Sequence, residues 1–321
     1  MVRAPAKLNL FLSIRGRRRD GYHDLITILQ SVSVFDRLRL SIVGPPGQRH
    51  YPATRRRMRL ALIHDGGPGI PVDEDNLAIQ AAQALGRLTN VLDLDVVDEA
   101  EARRAREPGS APVTLIQLQK RIPVAGGMAG GSADAAAALV GLNQLWGCHL
   151  SSFNLNKIAM SLGTDVPFCR LGGTALGTGR GTRLARVICK GTYWWVVCQS
   201  GKPLLTAEVY AAWDRECTPT QADPRPTVSA LEAQDARALA AALHNDLEPA
   251  AFSLQPGLAD AKARLIDAGA LGAVLSGSGP TMLALCESQQ AATALAHSVA
   301  DHFRVVKVAC SPAGSPEVTL C

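Results

Sequence analysis

The chain has 321 residues, a formal net charge of +5, 47% hydrophobic residues and 4% aromatic residues. This length exceeds that of a typical single domain and predicts two domains that share a cleft. No apolar run approaches the roughly 20 residues that a membrane-spanning helix needs, and the amino terminus lacks the organisation of a signal peptide. We therefore expect a cytoplasmic protein without a membrane partner. The eight cysteines form no C-x-x-C pair, which predicts reduced thiols and no metal-ligating side chains.

The positive charge is concentrated in three arginine clusters, at residues 15–19, 55–59 and 103–106. Such clusters suit an anionic ligand or a nucleic acid. No aromatic residue is interleaved with the arginines, which argues against a surface that stacks on nucleic-acid bases. We interpret the clusters as solvated surface charge and expect no nucleic-acid partner.

The first half of the chain predicts a sheet with helices packed on it. Alternating apolar residues indicate strands, and helical periodicity after capping or glycine-rich segments indicates helices. The predicted elements are strands Leu8–Arg15 and Leu25–Ile42, helix Leu77–Leu85, strand Val113–Gln119, and helices Ala133–Leu145 and Leu150–Leu162. Residues 93–112 are densely charged and are interpreted as a surface insertion outside the core.

A domain boundary is predicted near residue 170, which gives domains at 1–170 and 171–312. The glycines at 177, 179 and 181 are interpreted as turns. The second half predicts strand Tyr193–Val197, a helix after Thr206, helices at 228–244 and 257–268, two strands around a glycine turn within Ala273–Leu285, helix Gln289–Phe303 and strand Val305–Ala309.

The most informative segment is the glycine-rich loop at residues 123–133, which lies between a predicted strand and an alanine-rich helix. Glycines let the backbone approach a ligand closely, and the first turn of the helix offers unpaired N–H groups and a positive dipole end to an anion. Neither the Walker P-loop nor the G-x-G-x-x-G pattern is present. A tight helix entry that serves only packing is the alternative, but four glycines favour a phosphate site.

Phosphoryl transfer also needs charge neutralisation and a group that positions or deprotonates the attacking hydroxyl. Lys7 and Asn9 lie at the start of the first strand, and Asp165 lies in a loop between a helix end and a proline. Taken alone, Lys7 is equally well a solvated strand end and Asp165 a turn former. Their spacing does not identify them as catalytic residues.

Five segments occur in an order that resembles the GHMP small-molecule kinases. They are Pro5-Ala-Lys-Leu-Asn-Leu10, Asp20-Gly-Tyr-His23, the glycine-rich loop, Gly163-Thr-Asp-Val-Pro167 and Leu275-Ser-Gly-Ser-Gly-Pro-Thr281. The Asp-Gly-Tyr-His block is typical of the branch that acts on a cytidylated methylerythritol in non-mevalonate isoprenoid biosynthesis. The resemblance implies an α+β, two-domain GHMP kinase fold, with an N-terminal ATP domain of the ribosomal-protein type and a ferredoxin-like C-terminal domain. It also implies ATP and Mg²⁺ as cofactors and a small-molecule substrate phosphorylated on its 2-hydroxyl.

The resemblance also implies roles for individual residues. Asp165 matches the catalytic base, and Lys7 matches the residue that holds both this base and the developing oxyanion. The ATP site is expected at Asn76, Lys120, Pro123, Val124, Ala125, Gly126, Gly127, Met128, Ala129, Gly130, Gly131, Ser132 and Ala133. The substrate site is expected at Asn9, Tyr22, His23, Thr206 and Tyr210, with the two tyrosines stacking on the base and His23 bonding its edge.

The loop departs from the general pattern of the family, which reads roughly Pro-x-x-x-Gly-Leu-Gly-Ser-Ser-Ala. Met128 replaces leucine and Ala129 replaces glycine, so the backbone at 129 must tolerate a Cβ atom. Two other functions remain open at this stage. One is a GHMP kinase of the homoserine or mevalonate type, which would have no use for a cytidine site. The other is a basic RNA-binding protein that shares the N-terminal fold.

Overall fold

The computed structural model describes residues 1–45, 58–89 and 94–320. The arginines at 55–57, part of the second cluster, lie outside the described residues. The first half of the chain forms, in order, β1 (Val2–Arg17), β2 (His23–Val43), β3 (Arg59–His64), α1 (Leu77–Thr89), α2 (Glu99–Arg104), β4 (Val113–Gln119), α3 (Gly130–Leu145), α4 (Ser152–Leu162), α5 (Val166–Leu171), β5 (Thr174–Gly179) and β6 (Arg183–Arg186).

These elements build a sheet with α1 and α3 packed on one face and α2 packed on the other. Strands β1 and β2 are antiparallel, β4 pairs with β2, and β3 lies parallel to β4 at the edge. The predicted strands are confirmed inside the longer β1 and β2, because apolar alternation is a local signal. Helix α1 begins after Asn76, whose side-chain oxygen accepts the Ala78 N–H at 2.9 Å, and α4 ends at Gly163 as predicted.

The interpretation of residues 93–112 as an insertion outside the core is wrong. The Val97 N–H donates to the Leu60 carbonyl at 2.8 Å and fastens the segment to β3. Helix α2 buries Ala102 and Ala105 against Ala61 on the same strand. The charged residues occupy the outer face of α2, and the small alanines pack inward.

The first sheet continues past the predicted boundary near residue 170 and includes β5 and β6, as well as residues 244–245 and 317–318 from the second half of the chain. Strand β5 pairs with β2 in the register Leu25 to Gly179, and β6 pairs with β5. Gly177 and Gly179 therefore lie in a strand and not in turns, and the turn is confined to residues 180–182. This pairing is long-range, so no local signal in the sequence indicated it.

The second half forms β7 (Tyr193–Gln199), α6 (Thr206–Glu216), α7 (Arg225–Ala233), α8 (Ala236–Ala242), β8 (His244–Asn245), α9 (Glu248–Leu254), α10 (Gly257–Asp267), β9 (Gly272–Leu275), β10 (Thr281–Cys286), α11 (Gln289–Ser298), β11 (Val305–Ser311) and β12 (Glu317–Val318). Four of these strands make an antiparallel sheet in the order β11-β7-β10-β9. With helices between β7 and β9 and between β10 and β11, the order is that of a ferredoxin-like β-α-β-β-α-β unit. The predicted α+β class and ferredoxin-like second domain are confirmed.

The single helix predicted at 228–244 is two helices. Gln234 adopts a left-handed conformation with φ of 59° and ends α7. Asp235 then caps α8 by accepting the N–H groups of Arg237 and Ala238, both at 2.9 Å. Helix α11 likewise ends at Ser298, earlier than predicted, and a 3-10 turn follows it. No helix among the described residues is long and apolar enough to cross a bilayer.

Candidate active site

A cleft of about 890 Å³ opens between the two sheets and gathers most of the predicted site residues. Three predicted residues do not line it: Met128 and Ala133, which are buried in the core, and Ser132. Those that line it are Lys7, Asn9, Tyr22, His23, Asn76, Lys120, Pro123, Val124, Ala125, Gly126, Gly127, Ala129, Gly130, Gly131, Asp165, Thr206 and Tyr210. Residues predicted for ATP, for the substrate and for catalysis therefore share one cleft.

The glycine-rich loop is held between β1 and the β9–β10 turn. The Lys7 N–H donates to the Met128 carbonyl at 3.2 Å, and the Ser276 hydroxyl donates to the Gly127 carbonyl at 3.2 Å. Gly127 has φ of 71°, and a Cβ atom there would lie 2.1 Å from the Ser276 carbonyl oxygen. Only glycine fits this contact, so the loop glycine serves close packing between the two halves of the cleft.

The glycines at the first turn of α3 have more space around them than Gly127 has. A Cβ atom on Gly131 would meet only the Leu77 side chain, at an ordinary 3.5 Å. Gly130 is tighter, because its Cβ would lie 3.3 Å from both Ile122 and the Lys120 ammonium. The first N–H groups of α3 have no partner within the helix, so this turn offers donors and a positive dipole end to an anion.

Gly131→Val should therefore reduce ATP affinity selectively. A branched side chain would occupy the space through which phosphates approach the helix, while the fold has room for its first carbon atom. We expect a large rise in the dissociation constant for ATP, measured by calorimetry, with the melting temperature nearly unchanged. Gly257→Val is the matched control, because Gly257 also begins a helix and faces open space. If Gly131→Val lowered the melting temperature as well as the affinity for ATP, the loop would serve packing alone.

Lys7 and Asp165 meet on the floor of the cleft. The Lys7 ammonium lies 2.6 Å from the Asn9 side-chain oxygen and 3.7 Å from a carboxylate oxygen of Asp165. The Asn9 amide nitrogen donates to the Thr27 hydroxyl at 3.0 Å, which turns its oxygen towards Lys7. Lys7 is buried, whereas 36% of the Asp165 side chain is exposed to the cleft. An ammonium group has three donors, and Asn9 takes one of them, so donors remain for an incoming oxyanion.

The backbone around Asp165 leaves its carboxylate available for chemistry. Asp165 is the residue before α5, and Pro167 occupies the first turn of this helix. Its side chain makes no capping hydrogen bond, unlike that of Asp98, which caps α2. Tyr210 lies close by: burial, and then the negative charge of Asp165, raise the pKa of its phenol. Asp165 therefore faces a neutral phenol and a cationic amine.

Lys120 forms a buried triad with Asp36 and Asp134 beneath the glycine-rich loop. Its ammonium contacts Asp36 and lies 2.6 Å from Asp134. Burial opposes the charge on Lys120, but the attraction of the two carboxylates prevails and raises its pKa. Burial also raises the pKa of Asp134, although Lys120 opposes this. One oxygen of Asp134, Oδ1, is buried without a hydrogen-bond partner among the described residues.

Three predicted substrate residues, Tyr22, His23 and Tyr210, form an aromatic box in the same cleft. His23 stacks on Tyr210 with ring centroids 4.7 Å apart and meets the edge of Trp213 at 5.7 Å. Its Nε2 atom lies 2.7 Å from Asp214. The ring of Tyr22 is half exposed at the rim of the cleft. Thr206 lies beside the β9–β10 turn, 3.0 Å from the Ser278 hydroxyl.

Asn76 lies in the cleft wall, but its amide already has protein partners at both ends. The oxygen caps α1, and the nitrogen donates to the Pro71 carbonyl at 2.7 Å. Asn76 therefore holds the start of α1 in place.

Sequence reasoning missed Asp36, Asp134, Arg180 and Asp214. Asp214 could have been found, because it follows Tyr210 by four residues and thus shares its helix face. Asp134 lies just beyond the first turn of α3. Asp36 and Arg180 gave no local signal, since their partners are distant in sequence.

The comparisons with known proteins agree with this geometry. Residues 76–173 match the family description "GHMP kinases N terminal domain", and residues 227–305 match "GHMP kinases C terminal". The chain belongs to the GHMP kinase family. Within GHMP kinases it is 40% identical to a 4-diphosphocytidyl-2-C-methyl-D-erythritol kinase of Mycolicibacterium gilvum, over 97% of this chain and 90% of that one. It is 43% identical to the protein of the same name in Nocardia farcinica, over 94% and 89% of the two chains.

Solved structures of GHMP kinases share the fold. A crystal structure of 4-(cytidine 5'-diphospho)-2C-methyl-D-erythritol kinase has a TM-score of 0.74 and 30% identity, and the match covers 98% of this chain and 100% of that one. The homoserine kinase of Cytophaga hutchinsonii has a TM-score of 0.67 at 20% identity, covering 99% and 96% of the two chains, and shows the fold alone.

The glycine-rich loop of this GHMP kinase tolerates its alanine at a conformational cost. Ala129 precedes α3 in a left-handed conformation, with φ of 55° and ψ of 39°. A left-handed conformation costs a non-glycine residue about 1–2 kcal/mol. This confirms the prediction from the sequence that the backbone at residue 129 must tolerate a Cβ atom.

Proposed function

We propose that the chain transfers the γ-phosphate of ATP to the 2-hydroxyl of 4-diphosphocytidyl-2-C-methyl-D-erythritol, giving the 2-phosphate and ADP. One observation carries the proposal: the Lys7–Asp165 pair and the aromatic box of Tyr22, His23 and Tyr210 line the same cleft. A kinase for a substrate without a nucleobase has no use for this box. The curated relatives named for the same reaction match nearly the whole chain and support the assignment.

The geometry fits Asp165 as the base and Lys7 as the charge-neutralising group. In our proposal the carboxylate of Asp165 accepts the proton of the 2-hydroxyl as that oxygen attacks the γ-phosphorus. Lys7 orients this carboxylate and offers its remaining N–H to the transferred group. Asn9, fixed by Thr27, keeps the ammonium in place.

The residues of the loop fit the phosphates of ATP, because the start of α3 is open at Gly131. Mg²⁺ is commonly held by one or two carboxylates together with the phosphates of the nucleotide. The unpartnered oxygen of Asp134 and the partly exposed carboxylate of Asp165 are two such groups at the cleft. When bound, Mg²⁺ neutralises charge on the phosphates.

In our proposal the two domains share the work of binding. The N-terminal domain supplies the ATP site, and α6 of the C-terminal domain supplies Thr206 and Tyr210 to the substrate site.

In the aromatic box, His23 has one ring nitrogen left for the base. Nε2 faces Asp214, so Nδ1 is the atom that bonds the cytosine edge in our proposal. Tyr210, against which the His23 ring packs, is proposed to stack on one face of the base. Tyr22 is proposed to cover the opposite side of the base.

An assay of ADP release tests the function directly. The purified chain is supplied with ATP and, in turn, the cytidylated substrate, mevalonate and homoserine. We expect turnover with the cytidylated substrate alone. Turnover with mevalonate or homoserine instead would assign another GHMP activity. No turnover, together with RNA binding that falls steeply with salt, would favour the RNA-binding alternative.

Tyr210→Ala should raise the Michaelis constant for the cytidylated substrate by roughly tenfold or more. Base–aromatic stacking contributes on the order of 1–3 kcal/mol, and 1.4 kcal/mol is a factor of ten. The Michaelis constant for ATP should not change. Tyr210→Phe is the matched control and should behave like the wild type, since the ring carries the contact. If Tyr210→Ala were silent, the stacking face would belong to another residue.

A further inference from the structure

This inference rests on the proposed function and concerns the diphosphate of the substrate. That group joins the nucleoside, placed in the aromatic box, to the methylerythritol, placed at Lys7 and Asp165. It carries negative charge, and binding such a group in a cleft requires donors or a cation. No residue has been assigned to it so far.

Arg180 occupies the tip of the turn between β5 and β6. Gly179 and Gly181 flank it with φ of 68° and 81°, so the turn has a conformation that glycines favour on both sides. The guanidinium lies over the ring of Tyr22, 3.6 Å from its centroid. The side chain is half buried and lines the cleft. The aromatic ring therefore holds the charge at the cleft wall.

The guanidinium of Arg180 forms no ion pair within the described part of the chain. In the part of the chain that the structure describes, no carboxylate lies within ion-pair distance of Arg180, and its buried Nε has no hydrogen-bond partner. The nearby Asp20 is bonded to Arg18 at 3.2 Å. The other arginine of the cleft, Arg17, pairs with Asp214 at 3.5 Å. Arg180 is thus a cation at the cleft whose charge acts on nearby Asp20 but which, among the described residues, forms no ion pair of its own.

The turn also lies between the two ends of the predicted substrate site. A Cβ atom on Gly181 would lie 3.9 Å from the Thr27 side chain. Thr27 in turn holds Asn9, which contacts the Lys7 ammonium. On its other side, Arg180 contacts Tyr22 of the aromatic box. A group that links nucleoside and methylerythritol must pass this turn.

We propose that Arg180 binds the diphosphate of the substrate and that the Tyr22 ring holds its guanidinium in position. The planar guanidinium presents paired N–H donors that match phosphate oxygens. Arg180 then acts in substrate binding and not in the transfer step. Tyr22 would then both stack on the base and hold the guanidinium of Arg180 in position.

Binding of CDP and of cytidine to the full chain, measured by calorimetry, tests the proposal without turnover. Arg180→Ala should weaken CDP binding by about 10- to 100-fold, the range for a hydrogen bond to a charged group. Cytidine, which lacks the diphosphate, should lose much less affinity, and this retained binding also shows that the variant is folded. Arg183→Ala is the matched control, because this arginine is exposed on the same hairpin and does not line the cleft. It should bind both ligands like the wild type.

Steady-state kinetics supply a second measurement. Arg180→Ala should raise the Michaelis constant for the cytidylated substrate by a factor similar to the loss in CDP affinity, with kcat and the Michaelis constant for ATP unchanged. Equal losses for CDP and cytidine, or no loss for CDP, would overturn the role of Arg180. If the wild type binds CDP through Arg180 but does not phosphorylate the cytidylated substrate, the proposed function fails and the anion site stands. A wild type that binds neither ligand would overturn both.

Discussion

Asp165→Asn should lower kcat by roughly 10²- to 10⁴-fold, the usual contribution of a general base. Asparagine keeps the shape of the side chain and remains a good residue before a helix, so α5 should be unaffected. The dissociation constant of the cytidylated substrate should change much less, because the aromatic box is intact. Single-turnover kinetics and calorimetry measure the two quantities separately.

Asp267→Asn provides the control for Asp165→Asn. Asp267 is exposed at the end of α10 and does not line the cleft, so its replacement should leave turnover unchanged. Near-normal turnover of Asp165→Asn would show that another group accepts the proton, or that the attacking hydroxyl needs no base. If Asp165→Asn instead lowered the free energy of unfolding together with turnover, Asp165 would have a structural role.

Lys120→Met should reduce the free energy of unfolding by about 3–5 kcal/mol, the cost of removing one partner from a buried ion pair. The substitution leaves the carboxylates of Asp36 and Asp134 buried and facing each other without a cation. Urea denaturation of this variant and the wild type measures the loss. Lys190→Met is the control, because Lys190 is exposed and makes no side-chain ion pair among the described residues.

The loss in Lys120→Met should shrink as the pH falls from 7 towards 3.8, the ordinary pKa of an aspartate. Burial already raises the pKa of Asp134, and loss of the Lys120 charge removes the largest effect that opposes this rise. A group whose folded-state pKa is raised stabilises the fold below its unfolded-state pKa and loses this contribution as the pH rises. Protonation of Asp134 at low pH thus removes the unpaired buried charge from the Lys120→Met variant. A loss that does not depend on pH would mean that the side chain of Lys120 matters for packing and not for charge.

The sequence was most informative where the physical cause is local. Strand alternation, helix capping at residues 73–76 and the glycine that ends α4 depend on neighbours a few residues away, and these predictions are confirmed. The break at Gln234 was also local, since Asp235 is a good capping residue, but it was overlooked within an alanine-rich run. Local patterns therefore set most element positions to within a few residues.

Long-range pairing could not be predicted in this way. Strand β5 joins the N-terminal sheet through partners some 150 residues earlier, so glycines that resemble turn formers lie in a strand. In the cleft, the sequence alone left Lys7 and Asp165 ambiguous, and only the resemblance to GHMP kinases selected them. Their separation of 3.7 Å depends on how β1 and α5 pack together. The bond between His23 and Asp214 joins residues 191 positions apart and is equally a product of the fold.

Strand β1, which carries Lys7 and Asn9, takes edge partners from late in the chain. Residues 11 and 12 pair with β8, and residues 2 and 3 pair with β12. During synthesis on the ribosome, the first strand to emerge must therefore wait for residues 244–245 and 317–318 before its hydrogen bonds are complete. Contacts of such high sequence separation slow folding. Strand β1 is thus among the last parts of a nascent chain to reach its final pairing. A stalled translation product would expose its unpaired edge to chaperones or to aggregation.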